Sequence, residues 1–391
     1  MRCCLLAWDY PPSPSGLSTA AREIAESLAA TGCDMTVVTL DRVGVQQERG
    51  VRVVGAAMDQ GAPLARLRLW GGIGHLAAPV AFRRAVRALH RERPFDIVEA
   101  TNWYAPAALL GRPGDAPLVS RISTPAAYSR TEAQSLRERL DNLAADRLEH
   151  RQIARSSGLI SNSAVHARGM ESHYGIGNSV PHAVIGLSLP PEFLAVAADA
   201  PFDTDGPARI LFVGRAEERK GFAELLAAVE RLAEEAETGS GAEFSLRLLG
   251  VSEADLPGGL SPAARARTEA LGRQPPERLM REYASAHIVA APSRYESFGL
   301  VYQEAMAFGR VILASATDSS ARDFVADGGV LADETSVDAI TDALRPLVAS
   351  ADLRKHHRER ALKGAGRFTR QSLAQETLDL YRAAIARHQG R

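Results

Sequence analysis

The chain has 391 residues, of which 46% are hydrophobic and 24% charged, and its formal net charge is -1. This length exceeds what one hydrophobic core usually serves, so we expect two globular domains. A nearly neutral chain exerts no strong overall field on nucleic acid or on an anionic membrane, so its composition gives no reason to expect either as a partner.

The cysteines and the apolar runs favour a cytoplasmic location. Cys3 and Cys4 are neighbours in the first apolar run, and Cys33 precedes the second, a spacing that fits neither a zinc site nor a secreted disulfide framework. The first run, within 1–10, is too short for a signal peptide, and no run approaches the roughly 20 apolar residues of a membrane span.

The first half of the chain alternates buried strands with amphipathic helices. Residues 2–8 are predicted as a strand, 18–30 as a helix and 34–40 as the next strand, a βαβ unit that implies a parallel sheet. The same alternation continues to about residue 185. The further predictions are strands at 51–55, 96–100, 118–122, 159–162 and 182–185, and helices at 80–91 and 131–156.

A second α/β series follows a stretch rich in Pro, Ala and Asp at 190–207, which is predicted to be a linker. We therefore assign 1–195 to an N-terminal Rossmann-like domain and 196–370 to a C-terminal one. A last helix is predicted at 371–387. Within the second series, strands are predicted at 209–213, 244–250, 288–291 and 311–315, and helices at 221–237, 276–286 and 300–308.

A basic loop follows the first strand of the second series, within 212–221, FVGRAEERKG. Ligands bind at the carboxyl ends of strands in open parallel sheets, and a diphosphate is stabilised there by cations and free backbone N–H groups. Arg215 and Lys220 are the expected cations, and Gly214 is a donor contact. Taken alone, the loop is explained equally well as a charged surface turn.

A second loop, 292–304, PSRYESFGLVYQE, carries two glutamates eight positions apart around a helix start. Glu296 is expected beside a donor sugar, and Glu304, further along the helix, on ribose hydroxyls. Two exposed glutamates would be the commoner explanation of this pattern by itself. Backbone amides at the positive end of the helix dipole would hold phosphate oxygens. The residues concerned are Ser297, Phe298, Gly299 and Leu300.

Together the two loops resemble family 4 glycosyltransferases of the GT-B fold, which carry a Gly-Arg...Lys-Gly loop and a Glu-x7-Glu element in their second domain. The resemblance extends over nearly the whole chain. Loop 8–16, WDYPPSPSG, is similar to the family's first-strand loop, and Gly16 stays as a donor contact where paired glycines are usual. The resemblance implies two Rossmann-like domains facing a cleft, the first on the acceptor side, with the C-terminal helix 371–391 packed back on it.

The sequence departs from the family near the expected sugar position. Ser123 stands where many members have a histidine that contacts the donor sugar, and serine can hydrogen-bond but carries no charge. Either the sugar is held differently or Arg121 takes part. A family Gly-Gly stretch followed by an acid is replaced at 319–323, SSARD. Trp103 and Tyr104 could stack on an acceptor ring or pack in the core.

Other signals are set aside. The Asp-x-Asp sequence at 203–205 resembles a metal site of another glycosyltransferase fold, but it lies in the predicted linker, and the histidines lack metal-ligand spacing. No metal is therefore expected. The arginine-rich stretch 83–93 and the run 66–70, RLRLW, could rest on an anionic membrane, although a solvated helix face is the favoured interpretation.

The resemblance implies a hexosyl-type transfer from a nucleoside-diphosphate sugar to a hydroxyl acceptor, with retained anomeric configuration and no metal or other cofactor. The implied chemistry is front-face attack through an oxocarbenium-like transition state without a protein nucleophile. Arg215, Lys220 and Glu296 would form the catalytic set, and the helix start at Gly299 would help to stabilise the leaving diphosphate. Cell-envelope or natural-product glycans and glycosides are the implied acceptors.

Three other functions are alternatives to glycosyl transfer. A pseudo-glycosyltransferase would couple a nucleotide-linked cyclitol to an amine through the same diphosphate site. A nucleotide-sugar-binding protein would keep the site without turnover, an alternative prompted by Ser123. A dehydrogenase is disfavoured, because no complete Gly-x-Gly-x-x-Gly motif follows the first strand.

Overall fold

The computed structural model of the chain consists of two α/β units, each with its own sheet. One unit combines Met1–Ser188 with Thr369–Arg391, and the other is Leu189–Phe368. The division after Ser188 precedes the predicted domain boundary after residue 195. The structure describes residues 1–13, 15–56, 72–130, 133–203, 206–296, 298–325 and 328–390.

The first unit is built on an eight-stranded sheet. Its strands are β1 Arg2–Ala7, β2 Asp34–Thr39, β3 Val43–Glu48, β4 Val51–Ala56, β5 Ile97–Thr101, β6 Leu118–Arg121, β7 Gly158–Ser161 and β8 His182–Val184. They lie in the order β3-β4-β2-β1-β5-β6-β7-β8 and are parallel except for the β3–β4 pair. β1 is buried along its whole length, as its continuous apolar run predicts for a parallel sheet.

The edge strand β3 was not predicted. Five of its six residues are exposed, so no buried side marks the sequence as a strand. Its connection to β4 is a tight turn at Arg49 and Gly50, which both have positive φ, 48° and 82°. Such a turn is typical of two-residue β-hairpins, so this dipeptide was the available signal.

Four α-helices of the described part of the first unit begin after a Ser or Thr whose side chain accepts a free amide of the first turn, whereas helix Ala77–Glu92 has no such cap. The predicted helix at 131–156 begins only at Leu136, because the side chains of Ser135 and Glu138 form a capping box there. Thr131 and Glu132 lie outside the described residues. The α-helices are Gly16–Ala30, Ala77–Glu92, Leu136–Arg155, Ala164–Tyr174 and Arg370–Gln389, with 3₁₀ turns at Ile73–Leu76 and Ala126–Ser129.

The C-terminal helix Arg370–Gln389 belongs to the first unit. The Arg370 guanidinium donates to Glu23 Oε1 at 2.7 Å and to Glu26 Oε2 at 2.6 Å, and both carboxylates are buried in helix Gly16–Ala30. The Tyr381 hydroxyl donates to the buried Glu99 carboxylate of β5 at 2.7 Å. Since a buried charge is costly without partners, this helix stabilises the first unit by adding donors to three of its buried carboxylates.

The second unit has a six-stranded sheet in which all paired strands are parallel. Its strands are β9 Ala208–Val213, β10 Phe244–Leu249, β11 Thr268–Gly272, β12 Ile288–Ala291, β13 Val311–Ser315 and β14 Gly329–Ala332, in the order β11-β10-β9-β12-β13-β14. The predicted tandem of two Rossmann-like domains is thereby confirmed. Helices lie at Pro191–Ala198, Phe222–Glu237, Pro262–Arg267, Pro276–Ser285, Leu300–Ala307, Ser319–Val325, Val337–Ala349 and Ala351–Ala365, and 3₁₀ turns at Glu218–Lys220 and Glu253–Asp255.

The prediction of a linker at 190–207 was wrong for its first part. Helix Pro191–Ala198 begins there with a proline in its first turn, a position that proline suits because the missing N–H has no intrahelical partner. Phe193 is buried in the second unit, with its ring centroid 5.1 Å from that of Phe308 and 5.9 Å from that of Tyr283. Because the segment is rich in Pro and Ala, its composition indicated a linker and did not reveal a helix with one buried side.

Candidate functional site

The two loops singled out from the sequence meet at the carboxyl ends of β9 and β12. In this sheet β9 lies between β10, the next strand along the chain, and β12. The strand order therefore reverses at β9, and ligands commonly bind at such a point in open parallel sheets. The Arg294 N–H donates to the Arg219 carbonyl at 2.8 Å. Gly221 has φ +64°, and a Cβ added there would lie 2.3 Å from the Pro292 carbonyl oxygen. Glycine therefore permits this close approach of the loops.

Lys220 and Glu296 form the centre of this site. The Lys220 ammonium donates to Glu296 Oε1 at 2.5 Å, and the side chains are only 16% and 12% exposed. Ser293 Oγ donates to the same oxygen at 2.7 Å, and Arg219 Nη1 lies 3.3 Å from Glu296 Oε2. Burial alone would raise the pKa of Glu296, but the adjacent Lys220 and Arg219 cations outweigh it and lower the pKa, so the carboxyl is ionised.

The backbone of Glu296 is held on both sides. Its N–H donates to Asp318 Oδ1 at 3.1 Å, and Ser320 Oγ donates to its carbonyl oxygen at 2.7 Å. The Tyr302 hydroxyl donates to Asp318 Oδ2 at 2.8 Å. Burial raises the pKa of the Asp318 carboxyl to about 6, although the Tyr302 hydrogen bond acts in the opposite direction. Asp318 and Ser320 therefore hold the Glu296 backbone, from which its side chain reaches Lys220.

The second predicted glutamate lies close to the same lysine. Glu304 is half-buried in helix Leu300–Ala307, and its Oε2 accepts a hydrogen bond from the Tyr283 hydroxyl at 2.7 Å. Burial raises the pKa of Glu304 to about 7, while Tyr283 and the Lys220 charge act to lower it. Lys220 is therefore within electrostatic reach of both glutamates.

The helix that carries Glu304 begins after Gly299, which has φ +56°. A Cβ added to Gly299 would lie 2.9 Å from Phe324 Cδ2, so both the backbone angle and the space favour glycine. Phe298 and Leu300, half-buried, flank it. Ser297 lies outside the described residues. Of the predicted amide positions, Phe298, Gly299 and Leu300 thus lie at the start of this helix, after the Glu296 loop.

Arg215 stands apart from the lysine–glutamate pair. Its guanidinium is 78% exposed and lies 2.8 Å from Glu217 Oε1. Gly214 is at the end of β9, where its N–H donates to the Leu249 carbonyl at 2.9 Å. The second cation in contact with Glu296 is instead Arg219, a residue that the sequence did not single out. Its position in the same basic loop was the only available signal.

In the first unit, the loop after β1 leads into helix Gly16–Ala30. Gly16 is the first residue of that helix, and Ser15 Oγ accepts the Ser18 N–H at 2.9 Å as its cap. Pro14 lies outside the described residues. Trp8, at the start of this loop, donates from Nε1 to the Trp103 carbonyl at 3.0 Å, so the loops after β1 and β5 are in contact.

Ser123 and Arg121 are both buried in the first unit. The Ser123 N–H donates to Asn102 Oδ1 at 2.7 Å, and its hydroxyl lies 3.0 Å from Thr101 Oγ1. Arg121 Nε donates to Glu99 Oε1 at 2.7 Å. The charge of Arg121 is therefore balanced inside the unit by a carboxylate that also accepts from the C-terminal helix.

Trp103 and Tyr104 line a pocket of about 580 Å³ in the first unit. The Tyr104 ring stacks on His75 with centroids 5.6 Å apart, and Trp103 meets Tyr104 edge to face at 4.9 Å. Trp8 adds a third aromatic side chain. Arg137, Asp141 and Asn142 supply the polar groups of this pocket. Its walls suit a ring-shaped ligand that carries hydrogen-bonding groups.

The described part of the chain lacks two features. No group of three or more His, Cys, Asp or Glu side chains is placed there to hold a metal ion. Within the same residues, no helix has the length and apolar character needed to cross a bilayer. Thr204 and Asp205 of the Asp-x-Asp sequence, and the run 66–70, lie outside the described residues.

Comparison with solved structures identifies the fold. The sucrose-phosphate synthase from Thermosynechococcus elongatus matches with a TM-score of 0.75 at 19% identity, and the match covers 98% of this chain and 99% of that one. Its close coverage of both chains agrees with the tandem of parallel-sheet units and with the GT-B architecture that the sequence predicted.

Two sequence relatives are named for glycosyl transfer. A D-inositol 3-phosphate glycosyltransferase of Segniliparus rotundus is 32% identical over 250 residues, which are 60% of this chain and 54% of the relative. The chain thus spans about half the length of that relative. A glycogen synthase of Mycobacterium tuberculosis is 28% identical over 338 residues, which are 81% of this chain and 78% of the relative.

Two family models together match the greater part of the chain. The model for a glycosyl transferase 4-like domain matches residues 15–187, and the model for glycosyl transferases group 1 matches residues 199–364. These ranges lie within the first and second units. They include the lysine–glutamate site and the lining residues of the aromatic pocket except Trp8. The protein belongs to the family 4 glycosyltransferases of the GT-B fold.

Proposed function

We propose that this protein is a retaining, metal-independent glycosyltransferase that moves a hexosyl group from a nucleoside-diphosphate sugar to a hydroxyl of a glycan or glycoside. The observation that carries the proposal is the position of Lys220, which pairs with Glu296 at 2.5 Å and acts electrostatically on Glu304. One cation between two carboxylates at the carboxyl end of a parallel sheet suits a ligand that combines a diphosphate with hydroxyl groups.

The donor would be held by the second unit. Lys220, the exposed Arg215 and the amides around Gly299 would bind the diphosphate oxygens. Glu304 would accept hydrogen bonds from ribose hydroxyls, and Glu296 from hydroxyls of the sugar. Because Arg219 also contacts Glu296, this carboxylate keeps a cationic partner when the Lys220 ammonium turns to a phosphate.

The chemistry requires stabilisation of the leaving group rather than a protein nucleophile. The bond between the anomeric carbon and the diphosphate oxygen breaks, the acceptor oxygen bonds to the same face of that carbon, and the acceptor proton passes to the diphosphate. Fixed cations and helix amides are effective here because they need no reorganisation as negative charge develops. A side chain that acts as a general base is then not required.

The acceptor would bind in the aromatic pocket of the first unit. Trp103, Tyr104 and Trp8 offer faces and edges on which a sugar or other ring can stack, and Asp141 and Arg137 can hydrogen-bond to its hydroxyls. The names of the relatives, with D-inositol 3-phosphate and glycogen, support a polyhydroxylated acceptor. Cell-envelope and natural-product glycosides belong to this class.

One observation favours a second candidate, a nucleotide-sugar-binding protein without turnover. Ser123 stands at the position of the family histidine, and its hydroxyl lies 3.0 Å from Thr101 and 3.1 Å from Asn102. A pseudo-glycosyltransferase would use the same diphosphate site with a cyclitol donor. Cleavage of a supplied nucleotide sugar separates the proposed function from both.

The first test is a thermal-shift screen against UDP, GDP, dTDP and ADP, with EDTA or with a divalent metal. We expect one nucleotide to stabilise the protein equally well in EDTA, by about 2.7 kcal/mol at a concentration of 100 Kd. Lys220→Ala and Glu304→Ala should lose this shift, while the exposed-lysine control Lys355→Ala should keep it.

The second test follows the sugar. With the donor that the screen identifies, the anomeric coupling constant of the product is read by NMR, and retention is expected. An inverted product would contradict the retaining mechanism, and binding without cleavage would favour the binding protein. If none of the four nucleotides stabilises the wild-type protein, the donor site proposed around Lys220 is wrong.

A further inference from the structure

The loop between β5 and the pocket has an unusual backbone. Two consecutive non-glycine residues, Tyr104 and Ala105, have positive φ, 52° and 47°. Such angles are uncommon for residues with a Cβ and persist only where the surroundings enforce them, often at functional loops. They turn the chain directly beside the ring that stacks on His75. The pocket wall is therefore shaped by a strained segment.

One buried carboxylate holds this segment. Glu149, on helix Leu136–Arg155, accepts the Tyr104 N–H at Oε1 with a distance of 2.9 Å. The same oxygen accepts the Ala126 N–H at 3.2 Å, and Oε2 accepts the Tyr174 hydroxyl at 2.9 Å. Glu149 is 1% exposed and does not line the pocket. Its hydrogen bonds instead join the loops that follow β5 and β6.

The hydrogen-bond network continues through the side-chain amides of Asn102 and Gln152. Asn102 donates from Nδ2 to the Tyr174 hydroxyl at 2.8 Å, and its Oδ1 accepts the Ser123 N–H at 2.7 Å. One helical turn after Glu149, Gln152 Oε1 accepts the Ala107 N–H at 2.8 Å. Glu149 and Gln152, on one helix, thus hold the backbone at Tyr104, within the positive-φ pair, and at Ala107, just after it.

A carboxylate is a costly choice for this task. Burial raises the pKa of Glu149 to about 7, despite donors that act to lower it. A neutral side chain would fill the same volume without a charge in the interior. The carboxylate does, however, offer two oxygens for three donors in a fixed geometry, which an apolar residue cannot do.

We infer that Glu149 is a positioning residue for acceptor binding: by holding the Tyr104 amide, it fixes the Trp103–Tyr104 wall of the pocket against His75. The acceptor part of this inference rests on the proposed function. Because Glu149 is buried and does not line the pocket, its loss should act through the pocket wall, impairing acceptor binding and leaving donor binding intact.

The test compares Glu149→Leu, which removes the acceptor oxygens, with the isosteric Glu149→Gln, which keeps one oxygen for the Tyr104 and Ala126 amides. Arg147→Leu, an exposed position on the same helix, is the control. Hydrogen exchange should be at least about tenfold faster at the Tyr104 amide in the leucine variant, since a buried hydrogen bond is lost. The strand amides of β5 should stay protected, and the glutamine variant should stay near wild type.

The functional test compares the KM for the acceptor with the KM for the donor. The acceptor probes are myo-inositol and methyl α-D-glucopyranoside. Glu149→Leu should raise the acceptor KM about tenfold or more and change the donor KM less than about twofold, and Glu149→Gln should restore the acceptor KM. Equal increases in both constants, or an unchanged Tyr104 exchange rate, would overturn the inference.

A failure of the inference about Glu149 can be distinguished from a failure of the proposed function. If the protein binds no nucleotide or uses neither probe, hydrogen exchange at Tyr104 still decides whether Glu149 holds the wall. If Glu149→Leu does not fold, Tyr174→Phe removes one donor to Glu149 and keeps the ring. That variant should then show the same exchange change in smaller measure, and unchanged exchange would again count against the inference.

Discussion

Glu304 should destabilise the folded protein at alkaline pH, and its replacement by glutamine should therefore increase stability. Burial raises the pKa of this carboxyl from 4.5 to about 7, so the folded state binds its proton more tightly than the unfolded state does. The resulting stabilisation is fully present below pH 4.5 and is lost as the pH rises towards 7. Above pH 7 the folded protein must hold an ionised, half-buried carboxylate.

The size of the effect follows from the shift. Raising the pKa from 4.5 to about 7 corresponds to at most about 3.4 kcal/mol, and the partial exposure of Glu304 reduces our expectation to about 1–2 kcal/mol. Glu304→Gln keeps an oxygen that can accept from Tyr283 and has no charge. The variant should therefore be more stable than wild type by about this amount at pH 8 and by only about a quarter of it at pH 5.

Urea denaturation at pH 5 and pH 8 measures this difference directly. The exposed Glu359→Gln variant is the matched control and should change the free energy of unfolding equally at both pH values. The other buried carboxyls titrate in wild type and variant alike, so their contributions cancel in the comparison. A Glu304→Gln variant that is less stable than wild type at pH 8, or equally shifted at both pH values, would refute the reasoning.

Two further changes test the lysine–glutamate site. Glu296→Gln should keep nucleotide binding, because the diphosphate contacts remain, but should lower kcat about 10²-fold through loss of a fixed charge beside the sugar; a steady-state assay with the identified donor measures this, and an unchanged kcat would exclude the role. Gly221→Ala should abolish the nucleotide-induced thermal shift, because the new Cβ would displace the Pro292 carbonyl. Gly239→Ala has a similar φ of +73° with no atom within 4 Å, so it separates crowding from backbone strain and should keep the shift.

Much of the candidate site could be predicted from the sequence because it follows strand ends. A buried run that ends in glycine, followed by charged residues and a helix start, locates a loop at the carboxyl edge of a parallel sheet. This pattern predicted the loops of Lys220 and Glu296, and in the structure the two side chains are in contact. Sequence proximity did not reveal which basic side chain turns inward: Arg219 contacts Glu296, whereas Arg215 pairs with Glu217 in solvent.

The residues that support the site could not be predicted because they come from distant segments. Asp318 and Ser320 reach Glu296 only because β13 lies beside β12, which is a result of sheet order rather than of any local pattern. Glu149 reaches Tyr104 across 45 positions of sequence for the same kind of reason. A helix with charges on most of its faces gives no sign of which carboxylate is buried.

The return of the C-terminal helix to the first unit sets the order in which the two units can mature during synthesis. The second unit is one continuous stretch, Leu189–Phe368, and all of its chain leaves the ribosome before Arg370 does. Glu23 and Glu26 emerge before the second unit, whereas the Arg370 guanidinium that they share emerges after it. Until Arg370 has emerged, Glu23 has, among the described residues, only Arg22 and the Ser188 hydroxyl as partners, and Glu26 has only Arg49. The N-terminal unit therefore gains its full set of ion pairs only after the whole second unit has left the ribosome.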